Sequence, residues 1–227
     1  MGLVQETLGH TDRQAELHMA LEPIVDGLWS EGERDFYWYG SAMYAYSCAK
    51  CFIDFSKGYS ASFAEWLLGD GKGLHVGSVV DWGAGIGATS RLVEELTGIE
   101  SVIHNYPSAG PQIAVANQMQ VGQVLANSPQ ELGFEYDAVM AFELFEHVTD
   151  PLELVGLLEM ASPKMKVLCE ASSFHIDNYG HFDCYQFGGE NVAREHASRR
   201  FSAGLKGMGY ELVSSFWNNR PRVWLRS

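Results

Sequence analysis

From residue 77 onward, short apolar runs alternate with stretches of helical periodicity, the rhythm of a parallel sheet built from βαβ units. The runs at 79–82, 101–104, 123–125, 138–142 and 166–170 predict five strands, with helices filling the gaps between them. Asp150 and Pro151 predict the start of one helix, because aspartate caps the free N–H groups of a first turn and proline has no N–H to lose there. A last helix is expected to end near Gly207 or Gly209. Beyond it, 210–216 and 222–225 read as strands joined by a turn at Asn218, Asn219, Arg220 and Pro221, and so short a link predicts an antiparallel pair at the end of the sheet.

The chain before residue 77 reads as helical. Thr11 with Gln14, and Ser62 with Glu65, have capping-box spacing, in which a hydroxyl and an amide or carboxylate satisfy donors at a helix start. Between them lies an aromatic stretch, Phe36, Tyr37, Trp38 and Tyr39, followed by Ala45, Cys48, Phe52 and Phe55 at spacings of three and four, the stripe of a buried helix face. We therefore expect an N-terminal helical extension or lid over 1–76 and an α/β core over 77–227. No internal repeat, low-complexity segment or linker interrupts the 227 residues.

Charge narrows the partners. Fifteen Lys and Arg against twenty-nine Asp and Glu give a net charge of −14, which repels phosphate backbones and anionic lipid, so neither nucleic acid nor membrane is expected. The basic residues gather toward the C-terminus, at Arg194, Arg199, Arg200, Lys206, Arg220, Arg222 and Arg226, and read as solvated faces. Residues 1–13 show no basic segment leading into an apolar one, and no apolar run approaches the roughly 20 residues that span a bilayer. Four cysteines without a dense framework suit reduced thiols in a cytoplasmic protein. Oligomeric state is left open.

The strongest chemical signal is Val79-Val80-Asp81-Trp82-Gly83-Ala84-Gly85-Ile86-Gly87, an apolar strand with an acid near its end, then glycines at alternate positions, then a helix. Glycines let the backbone turn sharply and approach a ligand, and a helix N-terminus offers outward-pointing N–H groups, so a nucleotide-like ligand fits. Gly83, Gly85 and Ala88 also satisfy a loose dinucleotide fingerprint, so the glycines alone do not separate an adenosylmethionine site from a nicotinamide site. The second signal is the run from Tyr136 to Pro151, Tyr-Asp-Ala-Val-Met-Ala-Phe-Glu-Leu-Phe-Glu-His-Val-Thr-Asp-Pro. Together with the C-terminal strand pair, these segments resemble the class I S-adenosylmethionine-dependent methyltransferases over roughly 77–227.

That resemblance implies a Rossmann-like fold: a seven-stranded, mostly parallel sheet with one antiparallel strand and helices on both faces. It implies S-adenosylmethionine as methyl donor, with no metal expected. Asp81 would fix the loop and reach the ligand's amino-acid portion. Gly83, Ala84, Gly85 and Gly87 would form the close wall, and Phe142 and Glu143 would border the sulfonium. The family usually carries an acid at the end of the second strand for the ribose hydroxyls. This sequence offers His104, Asn105 and Tyr106 there, and Asn105 can accept only through a neutral carbonyl oxygen. The adenine-contacting position after the third strand has Asn127 as its nearest polar residue.

A small-molecule acceptor is expected beside the polar, aromatic loop after the fifth strand, residues 173–185. His175 and His181 are general-base candidates because imidazole titrates near neutrality. His147 is a third, its alternative role being to position the loop. Tyr37, Tyr39 and Tyr179 are candidate substrate contacts. Cys48, Cys51, His181 and Cys184 have spacing compatible with zinc, but Cys48 also fits the apolar stripe, and no metal site is assigned. Two further readings stand beside methyl transfer. One is a non-catalytic binding or regulatory protein with the same fold. The other is a nicotinamide-dependent oxidoreductase, disfavoured by Asp81 before the glycines and by the absence of an acid after the second strand.

Overall fold

The computed structural model describes residues 58–107, 122–177 and 180–227, together with isolated positions at 19–21, 23–24, 27 and 117. The expectations placed on Thr11, Gln14, Tyr37, Tyr39, Cys48, Cys51 and Tyr179, and on the aromatic stretch between them, lie outside the described residues.

The strands are β1 (Ser78–Trp82), β2 (Glu100–Asn105), β3 (Gly122–Leu125), β4 (Ala138–Phe142), β5 (Val167–Ala171), β6 (Cys184–Phe187), β7 (Glu190–Ala193), β8 (Tyr210–Ser215) and β9 (Arg222–Arg226). Four α-helices accompany them among the described residues: α1 (Tyr59–Leu68), α2 (Ala88–Thr97), α3 (Pro151–Ala161) and α4 (Arg194–Gly207). Seven strands form one sheet in the order β3-β2-β1-β4-β5-β9-β8. The first five pair in parallel, whereas β9 runs antiparallel to both β5 and β8, so β9 is the one reversed strand.

Alternation along the strands feeds two cores, one on each face. Val80, Trp82, Val139, Ala141 and Leu168 point to the face that also takes Val155 and Leu158 of α3 and Phe201 and Leu205 of α4. Val79, Ala138, Met140, Val167 and Cys169 point to the other, against Phe63, Trp66 and Leu67 of α1 and Val93 of α2. Burial pushes the Cys169 thiol well above its ordinary pKa, so it packs as an apolar group.

Local chemistry explains where the helices begin. Asp150 caps α3 as expected: its Oδ1 accepts from the Glu153 N–H at 3.0 Å, with Pro151 in the first turn. The capping box at Ser62 and Glu65 is not used. α1 begins at Tyr59 after Gly58, so Ser62 already lies inside the helix, and its N–H donates to the Gly58 carbonyl at 2.9 Å.

One element departs from the expected loop. Residues 184–193 form a hairpin, β6 and β7, joined by Gly188 and Gly189, both at positive φ (62° and 86°) as a tight two-residue turn requires. The hairpin grips the segment between β4 and α3. The Tyr185 hydroxyl donates to the Glu146 carbonyl at 2.9 Å, and the Gln186 N–H donates to the Thr149 carbonyl at 2.7 Å. The Gly188 N–H donates to the capping carboxylate of Asp150 at 3.2 Å.

Candidate active site

The strand order reverses between β1 and β4, so a crevice opens at their carboxyl ends, the place where open α/β sheets bind ligands. The β1–α2 turn forms one wall. Gly83, Gly85 and Gly87 all take positive φ (80°, 58° and 80°), a run that other residues adopt only with strain. A Cβ on Gly83 would stand 2.7 Å from Leu144 Cδ1, so the turn lies directly against the segment after β4. Ala84 is buried between the first two glycines.

Asp81 holds this turn from beneath. Its carboxylate is 2% exposed, and Oδ2 accepts from Thr89 Oγ1 at 2.7 Å and Ser90 Oγ at 2.6 Å, tying the strand end to the first turn of α2. Burial raises its pKa from 3.8 to about 6, against the opposing pull of the Ser90 and Thr89 hydrogen bonds. At pH 7 the group is mostly ionised.

At the end of β2, His104 stacks face to face on Trp82 with ring centroids 3.5 Å apart. Burial lowers its pKa to about 4, opposed by the bond to the Ala126 carbonyl, so the ring is neutral at pH 7. The 2.9 Å contact between Nε2 and that carbonyl therefore places the one ring proton on Nε2. Asn105 is 5% exposed, and its Nδ2 has no hydrogen-bond partner among the described residues. A buried amide donor without a partner is costly unless a ligand or water meets it. Asn105 thus has hydrogen-bonding capacity to spare at the end of β2, as does His104 through Nδ1.

Past β4 the backbone turns at Glu143, which takes φ 51°. Its Oε1 receives the Tyr59 hydroxyl of α1 at 3.3 Å and lies 3.5 Å from Arg220 Nη1, while Oε2 receives Ser173 Oγ at 2.9 Å. Arg220 Nη1 also donates to Ser173 Oγ. The Phe142 ring lies 5.6 Å from that of Tyr59, at a tilt. Tyr59 has no signal in the sequence, Ser173 reads there only as part of the loop after the fifth strand, and Arg220 reads as a turn residue and a solvated charge, whereas it pairs with Glu143; separations of 84, 30 and 77 residues from Glu143 leave no local sign of these contacts. Thr89 and Ser90 did leave one: hydroxyls in the first turn after a glycine loop are well placed to meet the acid before it.

The three candidate histidines fall into two groups. His175 lines a 410 Å³ cavity with Ser172, Asn218, Asn219, Arg220 and Arg222. His147 and His181 meet each other, with ring centroids 4.9 Å apart at 84°. Cys184 is exposed and does not join the group of potential metal ligands found among the described residues.

No protein-family model matches the chain, and no curated protein matches it in sequence. Its structure is similar to that of the magnesium protoporphyrin IX methyltransferase from Synechocystis PCC 6803 with bound SAH, at 14% identity and TM-score 0.54 over 90% of this chain and 99% of that one. It is also similar to an O-methyltransferase family protein from Burkholderia thailandensis, at 14% identity and TM-score 0.56, covering 83% of this chain and 61% of that one. This chain has the methyltransferase fold. Human N-acetylserotonin methyltransferase in complex with SAM is similar at the same level, with 14% identity and TM-score 0.56 over 85% of this chain and 58% of that one. The chain thus spans less than two thirds of the length of the latter two proteins. Within the methyltransferase fold, Asp81, the three glycines and Ala84, Asn105, Phe142 and Glu143 all occupy the carboxyl edge of β1, β2 and β4.

Proposed function

We propose that this chain transfers a methyl group from S-adenosylmethionine to a small-molecule acceptor. The observation that carries this reading is the β1–α2 turn: three positive-φ glycines at alternate positions, fastened by Asp81 through Thr89 and Ser90, beside a buried Asn105 amide without a partner among the described residues. Gly83, Ala84, Gly85 and Gly87 form a surface that a nucleoside can approach closely. Asn105 takes the ribose side, and Phe142 and Glu143 border the cationic centre. When bound, the donor supplies a methyl group already activated on a sulfonium, so alignment and proton removal are what the protein must add.

His175 is our candidate for the proton acceptor, because it lines the cavity that Arg220 connects to Glu143. In an in-line displacement the acceptor's lone pair forms the new bond to carbon, the carbon–sulfur pair returns to sulfur, and the acceptor's proton passes to the imidazole. α1, the described helix before residue 77, serves as part of a cover in this reading. Support comes from α1, whose Tyr59 hydroxyl already reaches Glu143.

Isothermal titration with S-adenosylmethionine and its demethylated product tests the donor site directly. Binding of at least one of them tighter than about 1 mM is expected, and no heat of binding from either ligand would defeat the reading. Single-turnover methyl transfer by His175→Ala should be slowed by about 10²- to 10⁴-fold, the usual contribution of a general base. An unchanged rate removes His175 from that role.

A further inference from the structure

We propose that Glu146, His147 and His181 form a binding site for one divalent first-row transition metal ion. One ligand atom from each, a carboxylate oxygen and two imidazole nitrogens, lies within 4.8 Å of the other two. Ligands held about 2.0–2.2 Å from one tetrahedral centre lie roughly 3.4 Å apart, so small rotations of two rings close the set. The residues come from two segments that the fold brings together, the short turn Phe145–His147 after β4 and the loop between β5 and β6.

The surroundings are those of a prepared site. Glu146 is fully buried, its Oε1 accepts the Ser173 N–H at 3.2 Å, and the Tyr185 hydroxyl fixes its backbone carbonyl at 2.9 Å. The carboxylate is therefore held from the chain after β5, and the backbone that carries it from the β6–β7 hairpin. His181 Nδ1 lies 2.8 Å from the Ile176 carbonyl. A carbonyl can only accept, so Nδ1 carries a proton, and in the neutral ring Nε2 is then the nitrogen that offers a lone pair to a metal, the arrangement that orients ligating imidazoles. Two histidines and one carboxylate make a donor set that borderline metals such as zinc and cobalt favour, and three protein ligands leave a coordination position for water or another oxygen.

A plain hydrogen-bonded cluster is the competing account. Imidazole N–H groups donating to a buried carboxylate would also satisfy it without any ion. The two accounts separate in solution, and they do so without donor or acceptor, so the outcome is independent of the methyl-transfer reading. The site also differs from the zinc set that cysteine spacing suggested, since Cys184 takes no part in it.

The test uses the untagged full chain, stripped by chelator, titrated with Co²⁺ and followed by its visible d–d absorption, with Zn²⁺ competition by calorimetry. Saturation at one ion per chain is expected, with the band intensity of a four- or five-coordinate ion. His147→Ala and His181→Ala should each weaken binding by more than 100-fold, beyond the roughly 10- to 100-fold that loss of a supporting hydrogen-bond partner costs. His196→Ala, at an exposed position on α4, should leave binding unchanged. Failure of the natural chain to saturate at one equivalent overturns the proposal even if a variant does not fold. Saturation that survives both His147→Ala and His181→Ala overturns it equally, by showing the ion to be elsewhere.

Discussion

Replacing Asp81 by asparagine separates what this residue does for the fold from what it does for a ligand. The asparagine carbonyl oxygen can still accept from Thr89 and Ser90, so the clamp on α2 survives while the buried charge is removed. The Asp81 pKa stands near 6 in the folded chain against 3.8 ordinarily, which corresponds to about 3 kcal/mol between its two protonation states. The folded chain binds that proton more tightly than the unfolded one, so this group's contribution to stability declines as pH rises from 3.8 to about 6 and is constant above. Asp81→Asn has no such penalty. It should be more stable than the natural chain by up to about 3 kcal/mol at pH 8, less about 1 kcal/mol if the new amide N–H₂ lacks an acceptor, and the gap should narrow by about half at pH 5. Urea unfolding of both chains at pH 8, 6.5 and 5 measures the gap. Calorimetry should show the variant binding S-adenosylmethionine at least about tenfold more weakly, a loss of about 1.4 kcal/mol. A variant that is less stable at pH 8, with a gap that does not change with pH, would refute the reasoning, because the carboxylate would then be a net structural asset.

Two other substitutions probe the frame of the site. Gly83→Ala places a side chain at φ 80°, and the nearby Leu144 Cδ1 can swing aside, so the cost should be that of backbone strain, about 1–3 kcal/mol in urea unfolding, together with weakened donor binding. Arg222→Ala leaves Glu170, which is fully buried, without the guanidinium 2.6 Å from its Oε1. The remaining donors are neutral, Trp224 Nε1 at 3.2 Å and Ser172 Oγ at 2.9 Å, so the chain should lose about 3–5 kcal/mol. Pairing Arg222→Met with Glu170→Gln should recover most of that loss in the same assay.

What could be read from the sequence was whatever the backbone dictates locally. β4 occupies residues 138–142 as its apolar run predicts, and the other expected strands shift by no more than one residue at either end. Asp150 and Pro151 marked the start of α3 because a cap and its helix are neighbours in the chain. The β6–β7 hairpin carries a local signal of its own. Gly188-Gly189 between Tyr185, Phe187 and Val192 is a two-residue hairpin signal, obscured by the polar residues preceding it. The cluster around Glu143 was not legible, since Tyr59 and Arg220 reach it only once α1 and the β8–β9 turn have docked. The same holds for Glu146 with His181, thirty-five positions apart and joined by the way the hairpin folds back.

The two halves of the crevice differ in how their carboxylates are balanced, and this bears on what each can receive. Asp81 is held by two neutral hydroxyls, which orient it without cancelling its charge, so the β1 side of the crevice keeps a negative potential at pH 7. Glu170, near the end of β5, is matched by a guanidinium at 2.6 Å, and the neighbouring cavity is lined by Arg220 and Arg222 alongside serines, asparagines and His175. A sulfonium is therefore drawn toward the glycine turn and away from the cavity. A polar acceptor carrying partial negative charge is drawn the opposite way. Glu143 stands between them, with Tyr59 and Arg220 on one oxygen and Ser173 on the other. On the proposed function, the boundary between donor and acceptor would fall at Glu143, whose backbone takes φ 51° just past β4.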